Sequence, residues 1–461
     1  MFNPTERIAI NRFRLQCFVL IEFAFARKLP WASIIITQVN THYEMTDGVK
    51  SALGLSDPST SGNKRSDIPN IYYYGPAHPS HESMYLEPPE GVRFSANRDP
   101  SIFEAFSAPP VYQPIRKLGV NMVGRFFRSL GSPRRVPILA RCDLVHVDGA
   151  VVPITNKPWM IGSIEYASAF FSFDDTWYTR PTMRNSLVRL LSRPKCRKIL
   201  THSEASLNSL RLGLGKDFES IADRTGVLAP VISSKSLLRN PPRRESDGSV
   251  RILFVGNHFF DKGGRELFYA FRRLRQRFDV ELTLVTGAPK HHEAYFNSFA
   301  EIIRREPGVR LCSRIPKDTL WNEYYAKSDI FCMPSYMDTF GYVVLEAMAN
   351  RLPTVTTDMF ALPEIVRDGE TGLLVHAPIA SFERDRLRTP EGVLRYREAV
   401  LDEKLFTSFV DSLEASLVKL IEDRTLRMRM GDAAFKEVEQ GRLSVPYRNK
   451  RLYALYREAL Q

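Results

Sequence analysis

The sequence lacks any run of 18 or more consecutive apolar residues, the length a membrane-spanning helix requires. The closest approach, "CFVLIEFAFARKLPW" from Cys17 to Trp31, is broken by Glu22 and Arg27. Its length matches a signal-peptide core, but no small-residue cleavage site follows, so an amphipathic or buried helix is expected. Cysteine is scarce: Cys17, Cys142, Cys196, Cys312 and Cys332 are scattered and form no CxxC pair. That spacing argues against a disulfide framework and a zinc site, and fits a reducing cytoplasm. Internal repeats and low-complexity tracts are also missing, which removes solenoids and compositionally biased chains from consideration.

What remains is a chain of 461 residues, 44% hydrophobic and 25% charged, long enough to divide its core between two domains. The net charge of +12 invites negatively charged partners: nucleic acid, anionic lipid or phosphorylated substrates. Much of the excess lies in "YQPIRKLGVNMVGRFFRSLGSPRRV" and "TRPTMRNSLVRLLSRPKCRKI", where Arg and Lys alternate with apolar residues in a roughly helical rhythm. Neither contains a recognised nucleic-acid module or an aromatic platform interleaved with basic residues, so a nucleic-acid partner is not expected.

Residues 245–375, within a second domain expected over 245–440, show the clearest organisation. "VRILFVGN", "VELTLVTG", "VRLCSRI", "DIFCMPS" and "PTVTT" read as strands. They alternate with the helical "GGRELFYAFRRLRQRF", "EAYFNSFAEIIRREP", "KDTLWNEYYAKS" and "YVVLEAMANR". Such alternation implies βαβ units and an open, doubly wound parallel sheet. Residues 66–232 repeat the pattern more loosely, through "NIYYYG", "GVRFSA", "DLVHVDG", "WMIGSIE", "RKILTHS" and "TGVLAP". An α/β fold of two Rossmann-like domains facing a cleft follows. Polar "SKSLLRNPPRRESDGS" serves as a hinge between them, and "APIASFERDRLRTPEGVLRYREAV" reads as an insertion after the last strand. Residues 1–65 form an extension and linker of unassigned structure. The terminal helix, 446–461, is expected to pack back on the first domain.

One stretch carries chemistry. "DTFGYVVLEAMANRLPTV" places Asp338 after a strand and Glu346 one turn into the following helix, with Gly341 at the helix start. Free N–H groups at Gly341, Tyr342 and Val343, aligned with the helix dipole, suit a phosphate. A carboxylate only accepts hydrogen bonds, so it suits a vicinal diol of a sugar or ribose. In "FVGNHFFDKGGRELF", Lys262 sits in a turn where it can neutralise a diphosphate leaving group. Each feature alone has an ordinary reading: a solvated lysine, a helix cap, a glycine after a strand.

Together, "PSYMDTFGYVVLEAMANRLPTVTTDMFALPEIVRDGETGLLV", "VGNHFFDKGG" and "THSEASLNSL" resemble glycosyltransferase family 4, retaining enzymes of the GT-B fold with an E-x7-E signature. The resemblance spans most of 140–435. It implies transfer of a sugar from a nucleotide-sugar donor with retention and no metal cofactor, in keeping with the absence of a D-x-D motif. By motif position, Glu346 binds the nucleotide ribose and Asp338 holds donor-sugar hydroxyls near the amides of Phe340, Gly341, Tyr342 and Val343. Lys262 contacts the diphosphate beside Gly256 and Asn257, and the residues around Arg314 and Ile315 hold the base. Asp338 replaces the usual Glu and is shorter by one C–C bond, about 1.5 Å. Asn257 stands where an arginine is usual. Arg351 stands where a glycine usually follows the helix, although the neighbouring Asn350 can tolerate a left-handed turn. Glu165 occupies a position often held by histidine; it orients the sugar or acceptor, or is a structural acid at a strand end. "YYYGPAHPSHESMYL" replaces the usual glycine-rich loop after the first strand.

The acceptor implied is a glycan or a lipid-linked molecule. In members of this family with lipid acceptors, a basic amphipathic helix docks on anionic membrane. Residues 112–135, with Arg116, Lys117, Arg125 and Arg128 beside Ile115, Met122, Phe126 and Phe127, fit that role on the inner face of the membrane, or fit a helix packed on its own sheet. The competing reading is a degenerate member that binds a nucleotide-sugar without transferring it. Other GT-B enzymes, such as epimerases or phosphorylases, match the motif run less closely.

Overall fold

The computed structural model describes residues 68–76, 78–97, 132–138, 140–171, 177–237, 248–287, 293–313, 315–379, 390–400, 402 and 406–461. The expected extension and most of the basic segment 112–135 lie outside these residues, as does Arg314. Two six-stranded parallel sheets form the framework.

The first sheet contains β1 (Asn70–Tyr74), β2 (Arg93–Ala96), β4 (Leu144–Asp148), β6 (Trp159–Ile164), β7 (Cys196–Thr201) and β8 (Thr225–Val227), in the order β2-β1-β4-β6-β7-β8. A small pair joins β3 (Arg135–Pro137) to β5 (Val152–Ile154). The helices include α1 (Glu82–Leu86), α2 (Pro181–Leu191) and α3 (Glu204–Leu214). The second basic segment resolves into α2 and the start of β7. Met183, Leu187, Leu190 and Leu191 of α2 are buried, while Arg184 and Arg189 on the other side reach the surface or half-reach it.

The second sheet contains β9 (Val250–Gly256), β10 (Val280–Thr286), β11 (Val309–Cys312), β12 (Ile330–Met333), β13 (Thr354–Thr357) and β14 (Gly372–Val375), ordered β11-β10-β9-β12-β13-β14. Its helices include α4 (Gly264–Leu274), α5 (Glu293–Arg305), α6 (Tyr342–Ala349), α7 (Leu362–Ile365), α8 (Pro390–Ala399), α9 (Thr407–Glu422) and α10 (Arg424–Glu439). β12 is apolar throughout and β9 from Ile252 onward, because helices cover both faces of a parallel sheet. Helix α4 buries Leu267, Phe268, Ala270, Phe271 and Leu274, the spacing of one helical face.

The last helix, α11 (Val445–Leu460), returns to the first sheet. Ser444 caps its N-terminus, its hydroxyl accepting from Tyr447 N at 3.4 Å. Leu452, Tyr456 and Ala459 join Ile71, Tyr73, Leu144 and Met160 in one apolar cluster.

In the turn after α6 the arginine, and not the neighbouring asparagine, turns left-handed. Arg351 itself adopts the left-handed conformation, with φ 58°, while Asn350 has φ −104°. Asn350 is committed elsewhere, donating through Nδ2 to Glu346 O at 2.8 Å. The arginine is held over the Phe435 ring at 3.8 Å and donates to Asp432 Oδ1 at 3.1 Å. These contacts offset a backbone penalty of about 1–2 kcal/mol.

Candidate active site

In an open α/β sheet, ligands bind beyond the carboxyl ends of the strands where the strand order reverses. In the second sheet that point lies between β9 and β12. The chain leaves β9 at Gly256 and turns back into α4 through Gly263, whose φ is 73°. A Cβ there would stand 2.1 Å from Pro334 O, so only glycine allows the turn to touch the loop after β12. Asp261 stitches the two together. Its carbonyl accepts from Tyr336 N at 2.9 Å and Met337 N at 3.2 Å, and its carboxylate accepts from Tyr396 OH of α8 at 2.6 Å.

This packing brings Lys262 to Asp338. The ammonium donates to Asp338 Oδ2 at 2.6 Å and Met337 O at 2.7 Å, with both side chains largely buried. Asp338 Oδ1 accepts from Phe340 N at 3.1 Å, so that amide, expected to face a ligand, is already engaged. Gly341, at φ 96°, then starts α6 and leaves the amides of Gly341, Tyr342 and Val343 ahead of the first full helical turn. Glu346, on the same helix, is buried. Its Oε2 accepts from Tyr325 OH at 3.0 Å, and burial raises its carboxyl above the usual range despite nearby Lys317. Gly256 is buried beside the Lys262 stem, Asn257 is exposed, and Ile315 is half-buried against the second core.

Glu165 faces this group from the first domain. It follows β6, and its Oε2 accepts from Thr339 Oγ1, the neighbour of Asp338, at 3.2 Å. Burial raises its carboxyl, while the Thr339 bond, His81 and Arg134 pull the other way. Further contacts cross between the domains here. Glu364 of α7 accepts from the Glu204 and Ala205 amides of α3 at 2.8 and 2.9 Å, capping that helix from the opposite domain. His202, at the end of β7, packs edge-on to Phe340 with ring centroids 5.6 Å apart. Neither of its ring nitrogens has a hydrogen-bond partner, and burial pushes the imidazole down to about 3.

The sequence reading missed a second polar group, at the reversal point of the first sheet between β1 and β4. Asp148 ends β4, buried, with Tyr73 OH donating to its Oδ2 at 2.6 Å and His81 Nδ1 at 3.2 Å. His146 Nε2 lies 3.1 Å from Oδ1, and His146 Nδ1 is 2.8 Å from Tyr456 OH of α11. Burial alone would raise the Asp148 carboxyl, but His146 and His81 hold it well below the usual range. The signal available was faint: His146 and Asp148 stand two apart in "VHVDG", the spacing that puts both on one face of a strand.

Residues 249–384, which hold Lys262, Asp338 and Glu346, match the family model for glycosyl transferases group 1. An alpha-maltose-1-phosphate synthase of Mycolicibacterium smegmatis is 32% identical over 145 residues, covering 31% of this chain and 37% of that protein. A D-inositol 3-phosphate glycosyltransferase of Corynebacterium aurimucosum is 31% identical over 195 residues, covering 41% of this chain and 39% of that protein. The chain therefore spans less than two fifths of the length of these curated relatives. Among solved structures, a glycosyltransferase from Rickettsia africae aligns over 86% of this chain and 100% of its own, with TM-score 0.53 and 12% identity. HepE of Anabaena, solved in complex with UDP, aligns over 85% and 100%, with TM-score 0.52 and 16% identity. At these identities the likeness concerns architecture, and the architecture is the GT-B fold: two Rossmann-like domains with a glycosyl transferases group 1 segment in the second.

Proposed function

We propose that the protein is a retaining glycosyltransferase that moves a sugar from a nucleoside-diphosphate sugar to a glycan, glycolipid or similar hydroxylated acceptor. The observation that carries this reading is the Lys262–Asp338 pair at the reversal point of the second sheet, directly before the α6 N-terminus. On donor binding, Lys262 and the α6 amides take the diphosphate charge that grows as the anomeric C–O bond breaks. No metal ion is needed for that role in this reading. Asp338 accepts from sugar hydroxyls, and Glu346 from the ribose diol through the oxygen that Tyr325 leaves open. Glu165 orients the sugar or the acceptor beside Thr339. The acceptor oxygen bonds the anomeric carbon on the face the diphosphate leaves, and its proton passes to the departing phosphate oxygen. Work on the cytoplasmic side, with the basic segment 112–135 on an anionic membrane, belongs to the same proposal. Among the described residues, no helix is long and apolar enough to cross a membrane.

UDP-glucose, the ligand of a solved HepE complex, is the first donor to test in a nucleotide-sugar panel. A bound donor at a hundredfold excess over Kd stabilises the fold by about 2.7 kcal/mol. The reading requires one donor to raise the melting temperature and be hydrolysed or transferred, with both effects lost in Lys262→Ala and Glu346→Ala. Stabilisation without turnover, even with acceptors present, would mark a binding protein instead. If no nucleotide-sugar shifts the melt, the site assignments fall.

A further inference from the structure

The reversal point of the first sheet holds a cavity as well as a polar cluster. Asp148, His146, Gly162 and Ser163 line it from the carboxyl ends of β4 and β6, Ser80 and Ser83 from the loop and helix after β1, and Arg448 from α11. It has room for about one group the size of a water molecule.

Its wall carries polar atoms with unused capacity. Arg448 is 3% exposed. Its guanidinium donates to Ser83 Oγ at 3.3 Å, Ser83 O at 3.2 Å and Glu87 O at 2.9 Å, all neutral acceptors, and its Nε has no partner. Asp148 Oδ1 and His146 Nε2 are buried and lie 3.1 Å apart as an ion pair, but at an angle that makes no proper hydrogen bond, so each keeps capacity for another partner. An unmet buried N–H such as Arg448 Nε costs about 1–3 kcal/mol. Gly162 keeps the space open: a Cβ there would stand 2.4 Å from Asp148 Oδ1 and 2.7 Å from His146 Nε2. Ser163, next to it and two residues before Glu165, is held at φ 51°.

A guanidinium and a carboxylate that line one small cavity offer one donor and one acceptor to a single small group. The pair balances in charge, so it does not select an anion. It matches a hydroxyl, which accepts one hydrogen bond and donates another. We propose that this cavity is an acceptor subsite that takes one hydroxyl of an uncharged polyhydroxylated acceptor, which accepts from Arg448 Nε and donates to Asp148 Oδ1. The inference rests on the transferase reading for its role, while polyol binding itself is measured separately.

The test uses the full chain, saturated with UDP, and three polyol probes: D-glucose, myo-inositol and glycerol. Ligand-observed NMR gives the Kd of each for wild type, Arg448→Lys and Ala229→Leu. Lysine keeps the charge but loses Nε, and leucine at Ala229, which lines the same cavity, fills it without removing a polar group. Wild type is expected to bind at least one probe, and both variants to weaken it about tenfold or more, the loss of one well-made hydrogen bond at about 1.4 kcal/mol. The deoxy analogues of D-glucose sharpen this if glucose binds: one of them binds wild type as weakly as glucose binds the variants. Absence of binding by all three probes overturns the inference, as does equal binding by wild type and Ala229→Leu, which would leave the cavity to a structural water. Hydrolysis of UDP-glucose is followed in parallel. Absence of hydrolysis of UDP-glucose and of every other nucleotide-sugar of the panel counts against the transferase reading, and polyol binding lost in the variants would still support the subsite.

Discussion

The two halves obey the same topological rule and fill it differently. At the second sheet's reversal point, Lys262 and Asp338 form a largely buried ion pair, and helix-start amides stand beside it. At the first sheet's reversal point, Asp148 is locked to Tyr73 and His81, and α11 closes over it with Arg448 and Tyr456. Strand order chooses where a site can be, and the covering elements decide whether it becomes a charge pair or a buried network around a small cavity. In the proposed reading the second point exchanges a salt bridge for the donor, and the first offers a small cavity inside a network that is otherwise paired.

Substitution of each centre should separate these roles. Asp148→Ala removes the common partner of Tyr73, His81 and His146 inside a buried network, with a cost of about 3–5 kcal/mol. Chemical denaturation should show that loss at pH 7. Lys262→Ala should leave a smaller stability change, because Asp338 keeps its bond from the Phe340 amide. Donor turnover should instead fall by about 10²–10³, the size expected when one preorganised charge is removed from a leaving group. The comparison breaks if the two variants lose stability equally.

The second centre was legible because its parts are local. Lys262 lies within one turn, and Asp338 to Glu346 within one loop and one helix, so spacing marked each group and the family resemblance joined them across 76 residues. Strand–helix alternation likewise gave both sheets, since parallel strands covered on both faces leave unbroken apolar runs. The first centre draws on Tyr73, His81, His146 with Asp148, and Arg448 with Tyr456. Only the fold unites such distant segments. Local residue habits failed once: Asn tolerates a left-handed turn better than Arg, but contacts to Phe435 and Asp432 placed that conformation at Arg351.

His202 tests how dry the boundary between the halves is. Burial lowers its imidazole to about 3, against about 6.5 in the unfolded chain. Above pH 6.5 neither state is protonated and nothing is lost. As pH falls below 6.5 the unfolded chain binds a proton that the native state refuses, so stability drops by about 1.4 kcal/mol per unit until the folded value is reached. Between pH 6.5 and 5, His202→Gln should therefore lose about 2 kcal/mol less than wild type. Parallel profiles would place water at the imidazole and join the two halves through a wet contact.

The smallest effect concerns strain. Ser163 beside the first centre and His258 beside the second both hold positive φ, 51° and 67°. Relief of that conformation by glycine is worth about 1–2 kcal/mol, offset by about 0.5–1 kcal/mol of added unfolded-state entropy. Ser163→Gly should thus stabilise by about 0.5 kcal/mol in urea denaturation. His258→Gly should gain less, because it also gives up the Nδ1 contact to Asp261 Oδ2 at 3.3 Å, which helps hold the Lys262 turn. A larger gain at His258 would mean that the turn carrying Lys262 is strained independently of its tie to Asp261, making the second centre, like the first, one that its surroundings hold in place.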